Sequence, residues 1–213
     1  MKRLAPFLAA ALLAACGSPP PQPDWLVNAD SGRDRYVKAY LSGDDRVANA
    51  EFTRLRGELA RTGQPVLVAR AELTRCAVQV ASLDFAPCSG FEALRGDAPE
   101  AERAYADFLA GTPVQAALLP AQYRGVAGGT GGAAPLRDNQ DPVSRLVAAG
   151  VLLRSGRADP EVLQLAADTA SAQGWRRGLL AWLGVQALRA EKAGATEEAA
   201  RLRRRMDLVS VGR

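Results

Sequence analysis

Apolar residues in this chain recur every three or four positions rather than every second one, the period of helices packed on one face. Between Asp45 and Thr62, Ala48, Phe52, Leu55 and Leu59 follow steps of four, three and four, which predicts an amphipathic helix. From Pro65 a second stripe of Leu67, Ala71, Thr74, Val78 and Ala81 runs on towards Leu83. The Thr62-Gly63 turn folds this helix back on its predecessor as an antiparallel hairpin. Asp97-Ala98-Pro99-Glu100 reads as a capping-box variant, and Gly111 ends the helix it opens. Further along, Asp141-Pro142 and Asp159-Pro160 each set a capping acid before a proline suited to the first helical position. Thr196-Glu197-Glu198 opens a last helix after Gly194. Helices are therefore predicted over residues 142–154, 160–172, 175–192 and 196–208. Residues 125–140 interrupt the pattern with Gly125, Gly128, Gly129, Gly131, Gly132 and Pro135 and read as a loop. No Lys-Ser or Lys-Thr follows these glycines, so the segment lacks the residues that make a phosphate cradle. The expected fold class is all-α, built from antiparallel helical hairpins.

Composition narrows the chemistry mainly through what is missing. The chain has no histidine, which removes the commonest general base near neutral pH, the commonest zinc ligand and every Ser-His or Cys-His catalytic arrangement. Neither a metal site nor a cofactor is expected. Acid-base work would fall to carboxylates, of which Glu51, Glu58, Glu72, Asp84 and Glu92 are candidates by residue type, with no spacing that singles out a pair. Glu72 and Arg75, three apart, read as a surface ion pair. No catalytic residue is assigned. Trp175, Leu179 and Trp182 share one face of a helix that is apolar nearly all round and read as core. Arg201, Arg203, Arg204 and Arg205 make the last helix basic, which reads as a solvated face near a helix C-terminus.

The first residues change the picture of where the protein works. Lys2 and Arg3 precede an apolar run from Leu4 to Leu13 and the small residues Ala14 and Ala15, the layout of a secretory signal. That run is shorter than the ~20 residues a membrane-spanning helix needs. Leu13-Ala14-Ala15-Cys16 resembles the lipobox of bacterial lipoproteins. The resemblance implies removal of residues 1–15, lipidation of Cys16 and, with Gly17 in place of an aspartate, an outer-membrane address on the periplasmic face. Two or three acyl chains, at ~0.8 kcal/mol per buried methylene, would make that anchor nearly permanent. The reading of the segments that follow is a lipidated, proline-rich tether over 16–32, a helical part over 33–124, the glycine-rich loop over 125–140, and a second helical part over 141–213. Without the leader, 25 basic residues face 23 acidic ones, so the mature chain is near neutral and no nucleic-acid partner is expected.

In an oxidising compartment the two remaining cysteines, Cys76 and Cys88, would pair. On one straight helix they would lie ~18 Å apart, far beyond disulfide reach, so a bridge requires the chain to reverse, for which residues 82–87 with Pro87 are suited. The alternative is two buried free thiols. Alternate helix starts at 142 and 175, and at 160 and 196, lie 33 and 36 residues apart. Gly43, Ala48 and Phe52, and again Ala187, Gly194 and Ala199, resemble the turn glycine and small or aromatic positions of tetratricopeptide repeats; the Trp-Leu-Gly-Tyr run of that family is absent and Arg203 replaces its second aromatic. This implies a TPR-like or α-solenoid-like stack. The functional expectation is an outer-membrane-anchored periplasmic scaffold or adaptor that binds another envelope protein or a peptide. The alternative is a peptidoglycan-acting enzyme using a glutamate or aspartate as acid.

Overall fold

In the computed structural model, residues 22–129 and 131–211 are described, and they are all helical in architecture. Cys16 and residues 1–15, the segment expected to be a leader, lie outside the described residues. The elements are α1 (Asp24–Ser42), α2 (Asp45–Ala60), α3 (Pro65–Ala81), α4 (Ser89–Glu92), α5 (Glu100–Leu109), α6 (Ala121–Gly128), α7 (Ala134–Asp138), α8 (Pro142–Arg154), α9 (Pro160–Ala172), α10 (Arg176–Lys192) and α11 (Thr196–Val211). Short 3-10 turns cover Arg95–Asp97 and Ala116–Leu118.

The hairpins form where the pattern of apolar stripes and glycine turns places them. Gly43, Gly63, Gly156, Gly174 and Gly194 all take positive φ between consecutive helices, the backbone region in which a side chain is costly. Asp141 accepts from the Ser144 N–H at 2.7 Å and Asp159 from the Val162 N–H at 2.8 Å, so both expected caps are made. Trp182 is fully buried and Trp175 and Leu179 nearly so, as core positions.

Cys76 and Cys88 are disulfide-bonded, with Cα atoms 5.7 Å apart. The reversal that joins them begins at Leu83, whose positive φ stops α3, while Asp84 turns the next residues by accepting from the Ala86 N–H at 3.1 Å.

Three sequence expectations are corrected. The tether does not extend to residue 32, because α1 begins at Asp24 directly after Pro23. Ala29, Gly32, Tyr36 and Ala39 form a buried stripe on α1 that its many polar neighbours obscure. The 125–140 segment is not one loop: α6 crosses its start and α7 lies within it. Buried Tyr123, Val126 and Leu136 pin these short helices, and Arg157 donates to the carbonyls of Val126 and Gly129 at 3.0 and 3.1 Å. Gly131 and Gly132 have positive φ, and a Cβ at Gly129 would strike the Gly125 carbonyl. Finally, Asp97 caps nothing. It belongs to the 3-10 turn, and α5 starts after Pro99 without a side-chain cap.

Helices from the two halves of the described chain pack on each other. α3 touches α1, α2, α4, α5 and α8, and α10 touches α1 as well as α9 and α11. In an open repeat array each unit meets only its neighbours; here α8 and α10 return to the N-terminal helices. At Gly150 the α8 backbone comes so close to α3 that a Cβ would strike the Val80 carbonyl. The Trp182 indole N–H reaches the Ala81 carbonyl at 3.0 Å, satisfying an acceptor that the end of α3 leaves open.

Candidate functional site

A groove of about 1140 Å³ has α3 and the start of α8 as its floor. α1 forms one bank, with Arg33, Asp34, Val37 and Lys38 one turn apart on a single face. The other bank comes from α5, the 3-10 turn before α6, and α6 itself, through Glu102, Tyr105, Leu118 and Arg124. Leu73, Thr74, Ala77 and Val78 from α3, with Val143 and Val147 from α8, make a mostly apolar bottom. The groove exists because α3 is flanked by α1 and α5 while α6 stands on α8; at its bottom Leu73, Ala77, Val78 and Val147 are buried, and Thr74 and Val143 are half-buried.

Most charges on the rim are engaged. Arg33 pairs with Asp30 and Asp34 at 3.3 and 3.1 Å, and Arg70 with Glu102 at 2.7 Å. Asp141 uses one oxygen to cap α8. Arg124 donates through Nε to the Leu119 carbonyl at 2.9 Å and has no carboxylate partner among the described residues; Lys38 has none either. Beneath the far bank the Tyr105 and Tyr123 hydroxyls meet at 3.4 Å, with rings stacked at 5.5 Å. Burial raises the pKa of both phenols, so each remains a neutral hydroxyl at ordinary pH.

None of the five candidate acids faces this groove. Glu51 is only 7 % exposed and accepts from Arg35 at 2.8 Å and Arg54 at 2.9 Å. Glu72, 3 % exposed, accepts from Arg56 at 2.9 Å and forms an ion pair with Arg75 at 2.7 Å. The Glu72–Arg75 pair is thus not a surface feature. Its carboxylate is enclosed under α2 and against Gly90, while Arg75 also lies 4.8 Å over the Phe52 ring. Glu58 pairs with Arg61 at 3.5 Å, Glu92 with Arg95 at 2.7 Å, and Asp84 turns the chain. On α11, Arg201 pairs with Glu198 at 2.6 Å and Arg203 with Glu191 at 2.9 Å.

Among the described residues no group of three His, Cys, Asp or Glu side chains is placed to hold a metal ion, and no helix is long and apolar enough to cross a membrane. Of the lining residues the sequence singles out Thr74 and Val78 on the α3 stripe, Trp175, read as core, and Asp141-Pro142, read as a helix start; the groove itself was not legible, since its lining comes from five helices, a turn and the segments that connect them, with no shared motif. Comparison with known proteins finds no family model that matches this chain, and no curated protein or solved structure significantly similar to it.

Proposed function

We propose that this protein is a lipoprotein held by Cys16 in the bacterial outer membrane, on its periplasmic face, and that its helical body is an adaptor binding a segment of another envelope protein or a peptide. The observation that carries the binding half is the groove: an apolar floor of about 1140 Å³ between two charged banks, with room for several side chains. The lipobox resemblance at Leu13-Ala14-Ala15-Cys16 carries the address, and the Cys76–Cys88 bridge agrees with an oxidising compartment. A glycan-cleaving reading needs two carboxylates facing one another across a substrate. The three acids lining the groove, Asp34, Glu102 and Asp141, already serve an ion pair, an ion pair and a helix cap, which favours binding over hydrolysis.

The test has two arms. Mass spectrometry of the mature N-terminal peptide should find Cys16 acylated, and Cys16→Ser should move the protein out of the membrane fraction. A photoreactive residue in place of Gln122, on the groove rim, should give a discrete adduct with an envelope protein in living cells, while the same residue at Arg204, on α11, should not. An unmodified Cys16 overturns the address. Glycan turnover by the purified protein overturns the adaptor.

A further inference from the structure

We infer that the groove selects an extended stretch of its partner in which acidic side chains flank apolar ones. This rests on the adaptor reading above and adds the chemistry of what is bound. Three observations carry it.

First, the charges of the groove do not cancel within it. Its lining holds four cations, Arg33, Lys38, Arg70 and Arg124, against three acids, Asp34, Glu102 and Asp141. Arg33 is paired with Asp34 and Arg70 with Glu102, whereas Lys38 on α1 and Arg124 on α6 meet no carboxylate of the described residues, and Asp141 at the start of α8 is the lining acid without a cation. Second, these two cations stand on opposite banks, with the floor of Leu73, Ala77 and Val143 between them. An anionic group at each side and an apolar group in the middle would therefore find complements simultaneously. Third, the floor is a helical strip without free backbone donors, so strand addition is not available to it. Recognition falls to side chains: apolar burial supplies affinity, and the two cations supply direction and choice of partner. A basic segment would meet Lys38 and Arg124 as like charges. Of the lining acids only Asp141 is without a cation, so it would find one carboxylate against those two charges.

Full-length protein in a mild nonionic detergent, titrated into two fluorescein-labelled peptide pools, tests this. Both pools carry a core of three positions drawn from Val, Leu, Ile and Phe; the flanking positions are Glu in one and Lys in the other. The Glu pool should bind at least roughly tenfold more tightly by anisotropy, and the preference should shrink in high salt. Lys38→Glu and Arg124→Glu should each weaken the Glu pool about tenfold and together reverse the preference, while Arg204→Glu, away from the groove, should change nothing. All three side chains are exposed, and circular dichroism melts should verify that the variants fold.

Equal binding of the two pools, or Glu-pool binding indifferent to both reversals, overturns the inference. So does displacement of the Glu pool by vesicles of anionic phospholipid that bind with the same Lys38 and Arg124 dependence, since the ligand would then be a lipid. A photoreactive group at Gln122 separates the two claims. Adducts with both pools keep the groove as a peptide site while overturning charge selection, and adducts with neither overturn the groove reading itself.

Discussion

Glu72 carries the most deeply enclosed side-chain carboxylate among the described residues, 3 % exposed and paired with guanidiniums from two different helices. Removing a carboxylate from water costs several kcal/mol, offset here only because Arg56 of α2 and Arg75 of α3 both reach it. Glu72→Ala should therefore lower the unfolding free energy by about 2–4 kcal/mol, read from urea denaturation near neutral pH, because two guanidiniums and a cavity lose their partner. Arg54→Ala is the contrast, since its side chain is 69 % exposed and should cost under about 1 kcal/mol. The sequence shows Glu72 and Arg75 three apart and hence able to pair, but not that α3 is covered on most sides, which turns a surface pair into a buried one. The same holds for Glu51. Arg35–Glu51 and Arg56–Glu72 both span sixteen residues, one across α1/α2 and one across α2/α3, so each hairpin is pinned by the same device. That regularity becomes visible only once the hairpin registers are known.

At the level of elements, local signals fared well wherever one residue type decides the backbone. The caps at Asp141 and Asp159 and the glycines at 63, 111 and 194 mark their helices because side-chain acceptors and positive φ are local requirements. α1 escaped because its apolar stripe is thin, and α6 because glycine-rich composition outweighed the tertiary anchors Tyr123 and Val126. Gly150 is a different case. Nothing around it in sequence distinguishes it from a helix-weakening residue, yet it sets the distance between α3 and α8. In an isolated helix alanine would be favoured at this position by ~1 kcal/mol. Here Gly150→Ala should instead destabilise by about 1–3 kcal/mol, because the new methyl meets the Val80 backbone, which cannot turn aside as a side chain can. Thermal melts of the variant should show a lowered midpoint.

For the molecule as a whole, the tyrosines give a global readout. The chain has four, and all of them, Tyr36, Tyr40, Tyr105 and Tyr123, have pKa values raised first of all by burial. In the unfolded chain they release protons near pH 10, whereas the folded protein holds them longer; above that pH the unfolded state binds fewer protons and stability falls. The stabilising contribution is fully present below about pH 10 and is lost as the pH climbs towards the folded values. Tyrosinate absorbance should stay low through pH 10 and rise together with loss of helical circular dichroism, not ahead of it. The groove belongs to this scale too, which is why composition and motif could not reveal it: its floor and banks become neighbours only when the C-terminal helices close on α3. That closure also bears on how the polypeptide can be divided. With α8 wedged against α3 and the Trp182 indole seated on the Ala81 carbonyl, severing the backbone around Gly131 should release no autonomous half. The two pieces should stay together through dialysis and, expressed as separate chains, reassemble, each supplying the surface that the other lacks.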